Sequence, residues 1–65
     1  MIRVYCVRYA GERAQSLVYA PDDATARALA VERAQGRRLV HLSEMIMVHE
    51  ALHYRQILDH PGEGK

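Results

Sequence analysis

Neither tryptophan nor phenylalanine occurs in this chain, so four tyrosines, Tyr5, Tyr9, Tyr19 and Tyr54, carry all of its aromatic area. Any core must be assembled from aliphatic side chains and alanine, with those rings as the largest pieces. There is a single cysteine, Cys6, which excludes an internal disulfide. Small secreted domains usually depend on several such bridges, so a reducing, cytoplasmic setting is expected. In its apolar surroundings the Cys6 thiol reads as a small core residue rather than a nucleophile. No run of eighteen apolar residues is present, which excludes a membrane-spanning helix, and the N-terminus lacks the apolar core of a signal peptide. Lysine is nearly missing: eight of the nine cations are arginine, and the net charge is only +1. So small a net charge provides no field to gather nucleic acid or an acidic partner. The arginine excess suits contact surfaces, because guanidinium makes planar, bidentate bonds and stacks on rings, although an arginine-favouring codon bias gives the same excess.

What is there is enough to fold. Of the 65 residues 49% are hydrophobic and 26% charged, an ordinary globular balance. A chain of this size buries only about 60% of the surface its unfolded form exposes, so stability is marginal and favours support from a second copy, a partner or a metal. Ile2 to Tyr9 is rich in β-branched and aromatic residues and reads as a strand. Ile2, Val4 and Cys6 point to one side of it, and Arg3, Tyr5, Val7 and Tyr9 to the other. Turn character over residues 10–13 then leads to a second strand, Gln15 to Ala20, and so to a hairpin. Pro21-Asp22-Asp23 starts a helix, with Asp22 or Asp23 able to cap free N–H groups. The helix, Ala24 to Gln35, is alanine-rich and stops at Gly36. Two stripes compete for its packing face, Ala24-Ala28-Val31 and Ala26-Leu29-Ala30. Arg38 to Leu42 reads as a third strand. Met45 to Val48 is open between prolonging it, starting another and entering a helix, and Ala51 to Leu58 reads as helical. The predicted class is α+β: a small antiparallel sheet in β-β-α-β order on one Ala-rich helix, with a C-terminal strand or helical segment. Residues 1–60 form a single domain, and residues 61–65 form a disordered tail.

The strings Tyr5-x-Val7-x-Tyr9-x-Gly11, Val18-x-Ala20-x-Asp22-x-x-x-Ala26 and Gly36-x-x-x-Val40-x-Leu42 cover about two-thirds of the chain. Their pattern resembles small β-β-α-β modules in the N-terminal domains of type II secretion inner-membrane proteins, in an archaeal ribosomal protein and in many phage proteins. In size and single-domain style the chain is also similar to small phage-encoded inhibitors of bacterial defence, the anti-CRISPR proteins. The resemblance implies a fold. It contains no catalytic motif and therefore implies no chemistry.

One string could name a chemistry. His49-Glu50-Ala51-Leu52-His53 reads H-E-x-x-H, which on a helix places two imidazoles on one face to hold zinc, with Glu50 as general base. Three considerations weigh against a zinc hydrolase. With four His and five Glu in the chain, the string arises by chance in about 2% of shuffled sequences. The apolar residues of a helix over 45–58 would surround it, Met45, Val48 and Leu52 on one side and Met47, Ala51 and Leu58 on the other. A third protein ligand would have to come from Asp59, His60 or Glu63 beside the tail. Neither a metal, a cofactor nor a catalytic residue is therefore assigned. A pH switch through His41, His49, His53 and His60 lacks an identifiable carboxylate partner. If the third strand runs on through Val48, then His41, Met45, Met47 and His49 share a face of it.

Two surfaces remain. Arg3, Tyr5 and Tyr9, with Leu17 and Tyr19 beside them, would suit stacking of single-stranded bases, a reading held down by the low net charge. More generally, both sides of the first strand are apolar, and one helix can cover only one side of a small sheet. The other side must meet the C-terminal segment, a second copy or a partner. The expected function is a non-enzymatic protein-binding module, in its most concrete form an accessory or inhibitor protein that occludes part of a larger complex. Its contacts would be made by Tyr5, Tyr9, Tyr19, Met45, Met47 and Tyr54, toward a protein partner or a homodimer mate. Nucleic acid and membrane are not expected as partners.

Overall fold

The computed structural model of the chain describes residues 1–59. His60 and the tail expected over 61–65 lie outside the described residues. Four strands and one helix follow in the order β1 (Arg3–Tyr9), β2 (Ser16–Ala20), α1 (Asp23–Arg33), β3 (Leu39–Val48) and β4 (Ala51–Asp59). They form one sheet of order β2-β1-β3-β4, antiparallel at every pairing, with α1 on one side. The α+β class and the β-β-α-β order expected from sequence are therefore present, with β4 added at the end.

The helix forms where its caps dictate. The Asp22 carboxylate accepts from the Thr25 N–H at 2.8 Å, filling one of the free donors of the first turn. Asp23 adds negative charge at that same end. At the other end Gln35 and Gly36 take positive φ, 53° and 89°, and turn the chain out of the helix. Arg37 folds back to donate to the carbonyls of Ala34, at 2.6 Å, and Arg33, at 3.0 Å, and ion-pairs with Glu12.

The buried stripe of α1 is Ala26 and Ala30, continued by Ala34 at the C-cap and with Leu29 beside it, so the second of the two competing stripes packs inward. Its small side chains leave room for the rings that rise from β1. Tyr5, Val7 and Tyr9 project under the helix, flanked by Val18 and Ala20 of β2 and Leu42 of β3. Both hydroxyls are bonded. Tyr5 donates to Asp23 Oδ1 at 2.8 Å, beside the helix start, and Tyr9 donates to the Ala30 carbonyl at 2.6 Å, near its end. Four strand residues span about 13 Å and seven helical residues about 10 Å, so the two bonds fix α1 along the direction of β1. Tyr5 and Tyr9 were expected to be contact residues, and the structure corrects this. They are 0% and 3% exposed and form the centre of the core.

Residues 51–58 are the larger correction. They are the strand β4, paired with β3 from Val48↔Ala51 to His41↔Asp59. Alanine, leucine, arginine and glutamine are good helix formers, but a ready-made β3 edge offers a full ladder of hydrogen bonds that outweighs local preference. Met45 to Val48 prolong β3, so the third strand runs six residues beyond its expected end at Leu42. Two bulges adjust the sheet: Val40 is the extra residue opposite Arg8 and Tyr9, and Ile57 is the extra residue opposite Leu42 and Ser43.

Candidate protein-docking surface

Strand register decides which residues share a side. The rows Arg3↔Ala20, Tyr5↔Val18, Tyr5↔Glu44 and Glu44↔Arg55 lie on the helix side. The charges collect there. Arg55 Nη2 donates to both Asp23 oxygens, at 2.7 and 2.9 Å, and to Glu44 Oε1 at 2.8 Å. Arg3 stands 3.9 Å from Asp23 and 3.8 Å from Glu44. The hydrogen bond from Arg55, then that from Tyr5, holds the Asp23 carboxyl below the ordinary aspartate range. The hydrogen bonds to Asp23, then to Glu44, raise the Arg55 guanidinium. This network joins β4 to the start of α1 and leaves the opposite side of the sheet short of charge.

That opposite side carries Val4, Cys6 and Arg8 of β1, Leu17 and Tyr19 of β2, His41, Ser43, Met45 and Met47 of β3, and Leu52, Tyr54 and Gln56 of β4. Among the described residues nothing packs across it as α1 packs across the helix side. Tyr19 is 57% exposed, Met47 66% and Tyr54 54%, and Ile2, Leu17 and Leu52 are exposed as well. Val4 and Met45 are half-buried, and the centre is closed: Cys6 and Ser43 lie beneath their neighbours. The Cys6 thiol donates to Gln15 Oε1 at 2.7 Å, and burial raises its pKa. The buried Ser43 hydroxyl is satisfied by His41 Nε2 at 3.0 Å. A serine with no exposed surface presents no nucleophile to a substrate, so this pair is a packed polar contact.

At one end the β3–β4 hairpin overshoots the sheet. β1 pairs with β3 only as far as Val4↔Met45, so residues 46–48 and 51–53 pair with each other alone. This ribbon exposes Met47, Val48 and Leu52. Its tip is the H-E-x-x-H string. His49 and Glu50 have φ of 52° and 63° and form the two-residue turn between Val48 and Ala51, the double positive φ of a type I′ hairpin. His53 lies on β4 opposite Ile46. The i, i+4 geometry that would aim both imidazoles at one ion belongs to a helix, and here the string crosses a turn. The string therefore lacks the helical geometry on which the zinc-hydrolase reading through His49, Glu50 and His53 depends. Among the described residues no three His, Cys, Asp or Glu side chains gather as a metal site, and no helix is long and apolar enough to cross a membrane. The base-stacking reading also loses its platform, because Tyr5 and Tyr9 lie under α1 and Arg3 is drawn to Asp23 and Glu44.

Of the six expected contact residues, Tyr19, Met45, Met47 and Tyr54 thus stand together on the open side, whereas Tyr5 and Tyr9 do not. Leu17 and Leu52, which are added by register, were not among the expected contacts. The signal for Leu52 was the alternation Leu52-x-Tyr54-x-Gln56, obscured by the helical preference of the intervening residues. No family model, curated protein or solved structure matches this chain.

Proposed function

We propose that the chain is a non-catalytic protein-binding module that works by laying the open side of its sheet on another protein surface. The observation that carries this reading is the direction taken by the C-terminal segment. Residues 51–59 extend the sheet as β4 and enlarge the open side, where a helix could have covered it. Tyrosine, methionine and leucine at its surface, with charge moved to the helix side, match the composition of contact cores. An inhibitor acting by occlusion of a larger complex would use this same surface, with Tyr19 and Tyr54 as anchors.

The test uses an apolar fluorescent dye such as anilinonaphthalene sulfonate. At high dilution the native chain is expected to bind it, and a variant carrying Tyr19→Glu, Met47→Glu and Tyr54→Glu is expected to lose it while keeping its circular dichroism spectrum. Absence of dye binding by the native chain at every dilution would contradict the reading.

A further inference from the structure

We infer that the open side of the sheet is covered by a second copy of this chain, in a two-fold, sheet-on-sheet dimer with the helices outermost. The inference rests on the protein-binding reading above and names its occupant.

The first support is exposure. Ile2, Leu17, Tyr19, Met47, Leu52 and Tyr54 are each between 43% and 66% exposed on this side. Singly exposed apolar side chains are ordinary, whereas a contiguous group of this kind marks a surface that another protein covers. The second is charge. By register the charged strand residues of this side are Arg8 and Asp59, which flank His41 at one end of the sheet and are opposite in sign. A partner of opposite charge is not called for. A second copy fits if the two sheets run antiparallel about a two-fold axis across the strands. The Arg8 end of each sheet then meets the end of the other that bears Tyr19 and Tyr54. Guanidinium faces tyrosine ring, and Arg8 does not face Arg8. The third is the overshooting ribbon. A two-stranded hairpin is barely stable alone in water, and residues 46–53 have no third strand. In the antiparallel pair each ribbon reaches over the Arg8 and His41 end of the other copy, where Met47 and Leu52 gain a surface to pack on.

Sedimentation equilibrium of the full chain tests this. At about 100 µM, a concentration that reveals even modest self-association, the native protein is expected at twice its 7.4 kDa monomer mass. Tyr19→Glu and Met47→Glu, each at an exposed position, are each expected to raise the dissociation constant about 100-fold, with the circular dichroism spectrum unchanged. Tyr19 lies on β2, at the edge of the sheet opposite β4, so a dimer formed by pairing β4 edges would ignore Tyr19→Glu. A native monomer at that concentration, or a dimer that tolerates both variants, would overturn the inference. If the native monomer still binds the apolar dye, the open side docks something other than a second copy and only the dimer is lost. If it binds no dye, the protein-binding reading fails with it.

Discussion

Replacing His49-Glu50 by Asn-Gly is expected to stabilise the protein. Both residues sit at positive φ, 52° and 63°, in a two-residue turn that demands it. A side chain with a Cβ meets the following carbonyl there and costs roughly 1–2 kcal/mol, somewhat less for histidine, which visits this region more readily than most. Asn-Gly is the favoured pair for a type I′ turn. Against the relieved strain stands the greater freedom of glycine in the unfolded chain, about 0.5–1 kcal/mol. The net gain is then about 1 kcal/mol, which in a domain of this size raises Tm by about 4–8 °C. Thermal and urea unfolding followed by circular dichroism give the answer, at one fixed protein concentration because association would also move the midpoint. The urea midpoint should rise with an unchanged slope. The same substitution removes a ligand and the general base of the H-E-x-x-H string, so a protein held together by a metal there would lose stability relative to untreated native protein, and that loss would vanish relative to chelator-treated native protein. An unchanged or lowered midpoint would refute the turn geometry on which the reasoning stands.

Three further outcomes follow from the contacts of the core and caps. Tyr9→Phe should cost about 1–2 kcal/mol in urea unfolding, because the Ala34 N–H turns to Val31 and the Tyr9 hydroxyl is the group that serves the Ala30 carbonyl; a cost near zero would contradict that bond. Asp22→Ala should cost about 1 kcal/mol through loss of the N-cap, with Asp22→Asn recovering most of it. Alkaline pH should destabilise the fold. Burial raises Tyr5 and Cys6, so both bind their protons more tightly folded than unfolded. Their contribution is complete below the ordinary thiol range of about 8.5 and is lost as pH climbs through the raised values. Asp23 is lowered, so its contribution is present above about pH 4 and is lost on further acidification. The urea midpoint measured against pH should therefore fall at both extremes, and a midpoint that rises steadily into the alkaline range would contradict these assignments.

The elements whose signals are local were readable from the residues. Asp22 and Gly36 bracket α1, and the alternation of β1 separates Tyr5, Val7 and Tyr9 from Val4 and Cys6, whereas Leu17 and Tyr19, expected beside Tyr5 and Tyr9, lie with Val4 and Cys6 on the opposite side. What failed was non-local. Within Ala51 to Leu58 the alternation Leu52-x-Tyr54-x-Gln56 is outweighed by helix-forming neighbours, and the deciding reason for a strand is its pairing partner, β3. The H-E-x-x-H string misleads for the same reason, since its meaning depends on a helix that the β3 ladder displaces. Tyr5 and Tyr9 were placed on the correct side of β1, yet which side the helix would cover was undecided. An alanine stripe is the clue in hindsight, because a helix so poor in bulk needs rings from the sheet to fill the layer beneath it.

Hydroxyl-radical footprinting with mass spectrometry, run across a dilution series, tests the open side most directly. Val31, exposed on α1, is the internal control. With rising concentration, labelling of Tyr19, Met47 and Tyr54 should fall several-fold while that of Val31 stays constant. Labelling of those three residues that tracks Val31 at every concentration would mean that no second copy covers the open side.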